Sequence, residues 1–143
     1  MTEPEVEIFW PSSLPPDPAT EAQDLLHEAG IHTTCMLRPT RRGAADVVLV
    51  LVTTAVLEPF LRTLFQGIAE EAHKGLRMFV DRLLARPSHH RQTPDEAVIQ
   101  VSTGGRITFT TGLPDQAFQQ AVDLDARDGR WAWDAQRVMW VPV

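Results

Sequence analysis

Asp46-Val47-Val48-Leu49-Val50-Leu51-Val52-Thr53 is the stretch that decides the class of fold. Its six apolar residues, four of them valine, carry Cβ branching that suits a pleated strand better than a helix. No polar residue alternates with them, and this pattern predicts a strand covered on both faces or central in its sheet. The charge-free apolar run ends at Leu57, well short of the ~20 residues that a bilayer crossing requires.

Downstream, Pro59 pushes Glu58 towards an extended conformation and fits the first turn of a helix. Apolar residues from Phe60 through Leu84 fall on one broad stripe, which predicts a single helix from Glu58 to about Ala85 or Arg86, stopped by Pro87. At 1.5 Å per residue that helix is about 40 Å long, against ~17–20 Å for a typical strand. The sheet beneath would then cover about half of the stripe. The surplus, around Leu76, Phe79 and Leu83, is the expected docking or dimerisation surface.

Past the polar loop 87–96, Ala97 to Val101 and Arg106 to Thr110 read as a hairpin. A three-residue loop, Thr103-Gly104-Gly105, sets Val101 opposite Ile107 and Ile99 opposite Phe109, so apolar meets apolar. Pro114 to Val122 is a short helix. The tail reads as a second hairpin, Trp131-Ala-Trp133 and Val138-Met-Trp140 around a turn at 134–137, with Trp131 near Trp140.

Upstream, Glu5 to Trp10 alternates wet and buried positions. Asp17-Pro18 is an expected helix start, with Asp17 as cap. Ala22, Leu25, Leu26 and Ala29 form the apolar stripe of helix 18–29, and Gly30 closes it. Ile31 to Arg38 is a further strand. The chain is therefore expected to be one α+β domain over residues 1–143. It is a two-layer sandwich: a mixed sheet of about five strands, one long and one shorter helix on one face, and a C-terminal Trp-rich hairpin at an edge. Strand 5–10, helix 18–29 and strand 31–38 fit a right-handed crossover unit.

Composition narrows the function classes. The net charge is −6, with seven acids and no Lys or Arg in residues 1–37, and ten bases against seven acids in residues 38–106. A nucleic-acid binder needs a dense cationic face, so none is expected. The split charge suits docking on a protein partner or on a second copy. The single cysteine, Cys35, and the acidic N-terminus Met1-Thr-Glu-Pro-Glu favour a reducing, cytoplasmic setting without membrane attachment. Twelve Arg against one Lys is the bias of a GC-rich bacterial genome such as an actinomycete's.

Each chemical motif has a simpler reading. Cys35 lies in an apolar strand and reads as structural. His89-His90 lacks a second ligand pair, and Glu70-Glu71-Ala72-His73 occurs once where a di-iron bundle needs it twice. Asp123-Leu-Asp125-Ala-Arg-Asp128-Gly129 misses the calcium-loop spacing by one residue. Lys74, Arg77, Arg82, Arg86 and Arg91 are diluted by acids. No catalytic residue, cofactor or metal is therefore expected, and the reading leans away from an enzyme. Trp131 and Trp140 join Leu76, Phe79 and Leu83 as expected interaction residues.

The order of Ala45–Val52, a long helix, a loop and Ala97–Thr110 resembles the effector-associated constant component domains of actinobacterial conflict systems. The resemblance spans residues 45–111 and carries over no functional residue. It implies a non-catalytic adaptor that tethers an effector to its partners. Two other functions stay open. One is an immunity-type inhibitor acting through the acids Glu3, Glu5, Glu7, Glu21, Asp24 and Glu28. The other is a small ligand-binding protein or enzyme with a pocket near the tryptophans.

Overall fold

The computed structural model describes residues 5–12, 16–38, 47–53, 60–66, 68–84, 96–101, 104–124 and 129–143. Pro59, Pro87, His89-His90, Arg41, Arg42, Arg86, Arg91, Thr103, Asp125 and Asp128 lie outside them. In chain order the elements are β1 (Val6–Pro11), α1 (Asp17–Glu28), β2 (Thr33–Arg38), β3 (Val47–Val52), α2 (Phe60–Phe65), α3 (Ala72–Leu84), β4 (Glu96–Val101), β5 (Arg106–Thr110), α4 (Asp115–Ala121), β6 (Arg130–Asp134) and β7 (Met139–Pro142). The fold is α+β. Among the described residues the strands form one seven-stranded mixed sheet in the order β2-β1-β3-β4-β5-β6-β7. The sheet is wider than the expected five strands because β6 pairs with β5, so the Trp-rich hairpin continues the main sheet instead of packing against its edge.

Three parallel pairs, β1–β2, β3–β4 and β5–β6, are each bridged by helix and joined to one another by antiparallel neighbours. The helices contact one another in series, α1 on α3 and α3 on α4, so they share one face. From the strand directions and order, the β1–β2 and β3–β4 crossovers have the same hand, and the β5–α4–β6 crossover has the opposite one. Strand twist favours right-handed crossovers strongly. The exceptional unit is also the most weakly paired, with only Arg106↔Arg130 and Ile107↔Trp131 in register.

α1 begins at Asp17 itself, with Pro16 at the cap position, so Asp17 sits in the first turn and is not the cap. Its end follows expectation. Gly30 has φ +83°, its N–H donates to the His27 carbonyl at 3.0 Å, and the Ile31 N–H donates to the Leu26 carbonyl at 2.9 Å.

The predicted helix 58–86 is broken. α2 ends at Phe65 and α3 starts at Ala72. The break lets α2 fold back on α3. Phe65 then meets Phe79 with ring centroids 5.3 Å apart, and Leu61 and Phe65 are both 1% exposed. The stripe expected to be in surplus is thus used inside the chain.

Both hairpin registers differ from expectation by one pair on the same face. Ile99 faces Ile107, Ala97 faces Phe109, and the first loop closes where the Val101 N–H donates to the Gly105 carbonyl. Gly104 takes φ +109°, so the loop's left-handed position is filled by glycine. In the second hairpin Trp133 faces Trp140 and Trp131 faces Pro142. Asp134 Oδ1 accepts from the Gln136 N–H at 2.9 Å and the Arg137 N–H at 3.1 Å, and the turn falls at residues 135–138, one position later than expected.

Candidate functional site

Residue parity divides the sheet into two unlike faces. Val6, Ile8, Trp10, Val48, Val50, Val52, Ala97, Ile99, Val101, Ile107 and Phe109 lie under the helices, at 2% exposure or less. The opposite face carries no helix among the described residues. Pairing aligns two rows across it. One row runs Met36, Phe9, Leu49, Val98, Thr108. The next runs Thr34, Glu7, Leu51, Gln100, Arg106, Arg130. Phe9, Leu49, Leu51 and Val98 are half-buried, and Met36 is 42% exposed. The Arg38 guanidinium lies over the Phe9 ring, 5.8 Å from its centroid.

This face was not singled out by the sequence reading. Its signal was present in the missing alternation of Val47–Val52, because an ordinary wet face would place polar side chains at 47, 49 and 51. β3 is interior to the sheet, and that accounts for part of the run. Among the described residues, a one-sided helical cover leaves Val47, Leu49 and Leu51 without an apolar partner layer.

Of the expected interaction residues, Leu76, Phe79 and Leu83 are fully buried within the chain, each 0% exposed. Trp140 is buried at 2%, and its Nε1–H donates to the Ala117 carbonyl at 2.8 Å. Its ring meets Trp133 and Phe109 edge-on at 5.6 and 5.3 Å, and Phe109 stacks on Phe118 at 6.0 Å. Trp131 is half-buried, and its Nε1–H is buried without a hydrogen-bond partner among the described residues. Trp131, Trp133 and Trp140 therefore form core at the β6–β7 end of the sheet, on the helix side.

Glu3 lies outside the described residues, and the remaining acids of the expected lobe do not form one patch. Glu7 points from the open face, whereas Glu21, Asp24 and Glu28 belong to α1 on the other side of the sheet, with Glu21 4.0 Å from Arg82. Glu5 accepts a hydrogen bond from the His32 N–H at 3.2 Å. A groove of about 520 Å³ opens between α3 and the segment leading into α4, floored by Val80, Leu84, Leu113 and Phe118. Among the described residues Arg77 is the only cation lining it, bound to Asp115 at 3.0 Å and Asp81 at 3.6 Å, and no tryptophan lines it.

Cys35 pairs with Ile8 on the helix side of the sheet, and burial pushes its thiol pKa up, opposite to what a nucleophile requires. His73 lies 3.3 Å from Glu71, and Asp123 is bound by Arg62. Among the described residues no three His, Cys, Asp or Glu side chains are grouped to hold a metal, and no helix is long and apolar enough to cross a membrane. Compared with known proteins, the chain matches no family model, no curated protein and no solved structure.

Proposed function

We propose that this chain is a non-enzymatic protein–protein interaction module of the adaptor kind, docking through the uncovered face of its sheet. The observation that supports it is the row Met36, Phe9, Leu49, Val98, which spans four adjacent strands opposite the helical layer. An antiparallel or mixed sheet with one solvated face normally alternates apolar inward and polar outward residues. Here one outward row is apolar from β2 to β4, and the rows on either side of it carry Glu7, Gln100, Arg106 and Glu96, which supports reading an apolar interface core bordered by polar residues. The docking surface moves from the long helix to the sheet because the helix residues are consumed by the chain's own core. The adaptor role implied by the resemblance over residues 45–111 is consistent with such a surface.

The test is site-specific photocross-linking in the native host, with the cross-linking residue at Phe9 or Thr108 and at Lys74 on α3 as a control. A discrete adduct from the two sheet positions, absent at Lys74, is the expected result. No adduct at either sheet position, or equal labelling at Lys74, would sink the proposal.

A further inference from the structure

We infer that the occupant of the open face is a second copy of the same chain, packed sheet on sheet about a two-fold axis. This inference rests on the reading of that face as a docking surface. In the order β1-β3-β4-β5 the pair β3–β4 is flanked symmetrically. An axis parallel to the strands and running between β3 and β4 therefore sets β1 of one copy over β5 of the other, and β3 over β4. Such an axis preserves the rows. Leu49 meets Val98 of the other copy, Phe9 meets Thr108, and Leu51 meets Gln100.

The charges match in the same operation. Glu7 and Arg106 occupy one row, on β1 and β5, so each Glu7 carboxylate falls opposite an Arg106 guanidinium, twice per dimer. Arg130 stands beside Arg106 across β5–β6, an unfavourable like-charge pair within one copy. A carboxylate from the other copy relieves it. Neither Glu7, Arg106 nor Arg130 makes an ion pair among the described residues, so all three are available. Glu96, opposite Val47 in the adjoining row, is the first residue of β4 and is half-buried at the end of that strand. Sheets stacked this way lie about 10 Å apart with mean strand directions within about 30° of each other. At β1 and β5, about 7 Å from the axis given a ~4.8 Å strand spacing, the flexible Arg side chain spans the resulting offset.

The test is the solution mass of the full chain by light scattering after gel filtration, with charge reversal and rescue. The wild type is expected at twice the 16.0 kDa chain mass. Glu7→Arg, and separately the double variant Arg106→Glu with Arg130→Glu, are expected to weaken the dimer at least tenfold. The triple variant combining all three reversals is expected to restore it. Because these side chains lie on the outer face, folding is checked by circular dichroism. Cross-linking of a Glu7→Cys, Arg106→Cys chain with a bis-maleimide of about 10 Å span, matched to the sheet separation, against Lys74→Cys, gives an independent reading. A monomeric wild type, a dimer indifferent to the single-side reversals, or reversals without rescue would overturn the inference. A cross-linked adduct to a different protein from Phe9 or Thr108 would overturn the second-copy inference alone and leave the docking reading standing.

Discussion

Gly75 packs against the carbonyl of Phe65 so closely that a Cβ placed on it would stand 2.5 Å from the Phe65 oxygen and 3.1 Å from the Ile68 Cβ. This contact is where α2, turned back by the break in the helix, seats on α3. Gly75→Ala improves helix propensity by about 1 kcal/mol, but displacing packed backbone costs typically ~1–3 kcal/mol. The expected outcome is net destabilisation and a Tm lower by several degrees in a thermal melt. An unchanged or higher Tm would mean that α2 is not clamped there.

Trp140 joins the end of the sheet to α4. Trp140→Phe keeps an aromatic ring against Phe109 and Trp133 but leaves the Ala117 carbonyl without its donor. The lost hydrogen bond and the smaller ring are expected to cost about 2–3 kcal/mol together. Urea unfolding measures this, and a cost under about 0.5 kcal/mol would show that the contact contributes little.

Adjacent residues on β3 should respond oppositely. Val50 is 1% exposed beneath the helices, and Leu49 faces outward half-buried. Val50→Thr buries an unpaired hydroxyl and is expected to cost about 1–3 kcal/mol. Leu49→Thr should change the stability of the isolated chain by under about 1 kcal/mol while weakening docking. Denaturant melts at a dilution where the chain is monomeric, paired with the solution-mass assay, separate the two effects.

Cys35 provides a pH test. Its thiol pKa is raised by burial, so the neutral form is favoured in the folded state. Little thiolate forms near neutral pH, and a disulfide reagent should label the native chain far more slowly than the unfolded one. In the linkage, the unfolded thiol loses its proton first as pH rises. The folded state then binds more protons, and stability falls with increasing pH above about 9. Cys35→Ala should flatten that alkaline slope. A slope unchanged by the substitution would exclude the thiol as its source.

Asp134→Ala removes the acceptor of the Gln136 and Arg137 N–H groups that close the β6–β7 turn. A loss of about 1 kcal/mol is expected, together with faster hydrogen exchange at Trp133 and Trp140. Exchange confined to the turn itself would show that the hairpin is held by its tryptophans alone.

Local pattern by itself determined most elements and the inward side of nearly every strand. Val6, Ile8, Ile99, Ile107 and Phe109 face the core as their alternation requires, because side chains alternate between faces with a period of two and a slip by a whole pair preserves the face. The same property explains why both hairpins were placed one pair away from their observed registers: apolar met apolar in either alignment, and only loop closure at Gly105 and the Asp134 turn discriminated. The break between Phe65 and Ala72 escaped the reading because the apolar stripe runs through it, and a hydrophobic pattern does not report whether its neighbours lie on the same helix or on two that fold together. Tertiary structure alone decided three things: that β6 joins β5, that every described helix takes the same side, and that Phe9, Leu49 and Val98 come together on the other. Those outcomes depend on which strands pair across long stretches of chain, and that choice is made by the packing of the whole core, with no residue carrying it locally.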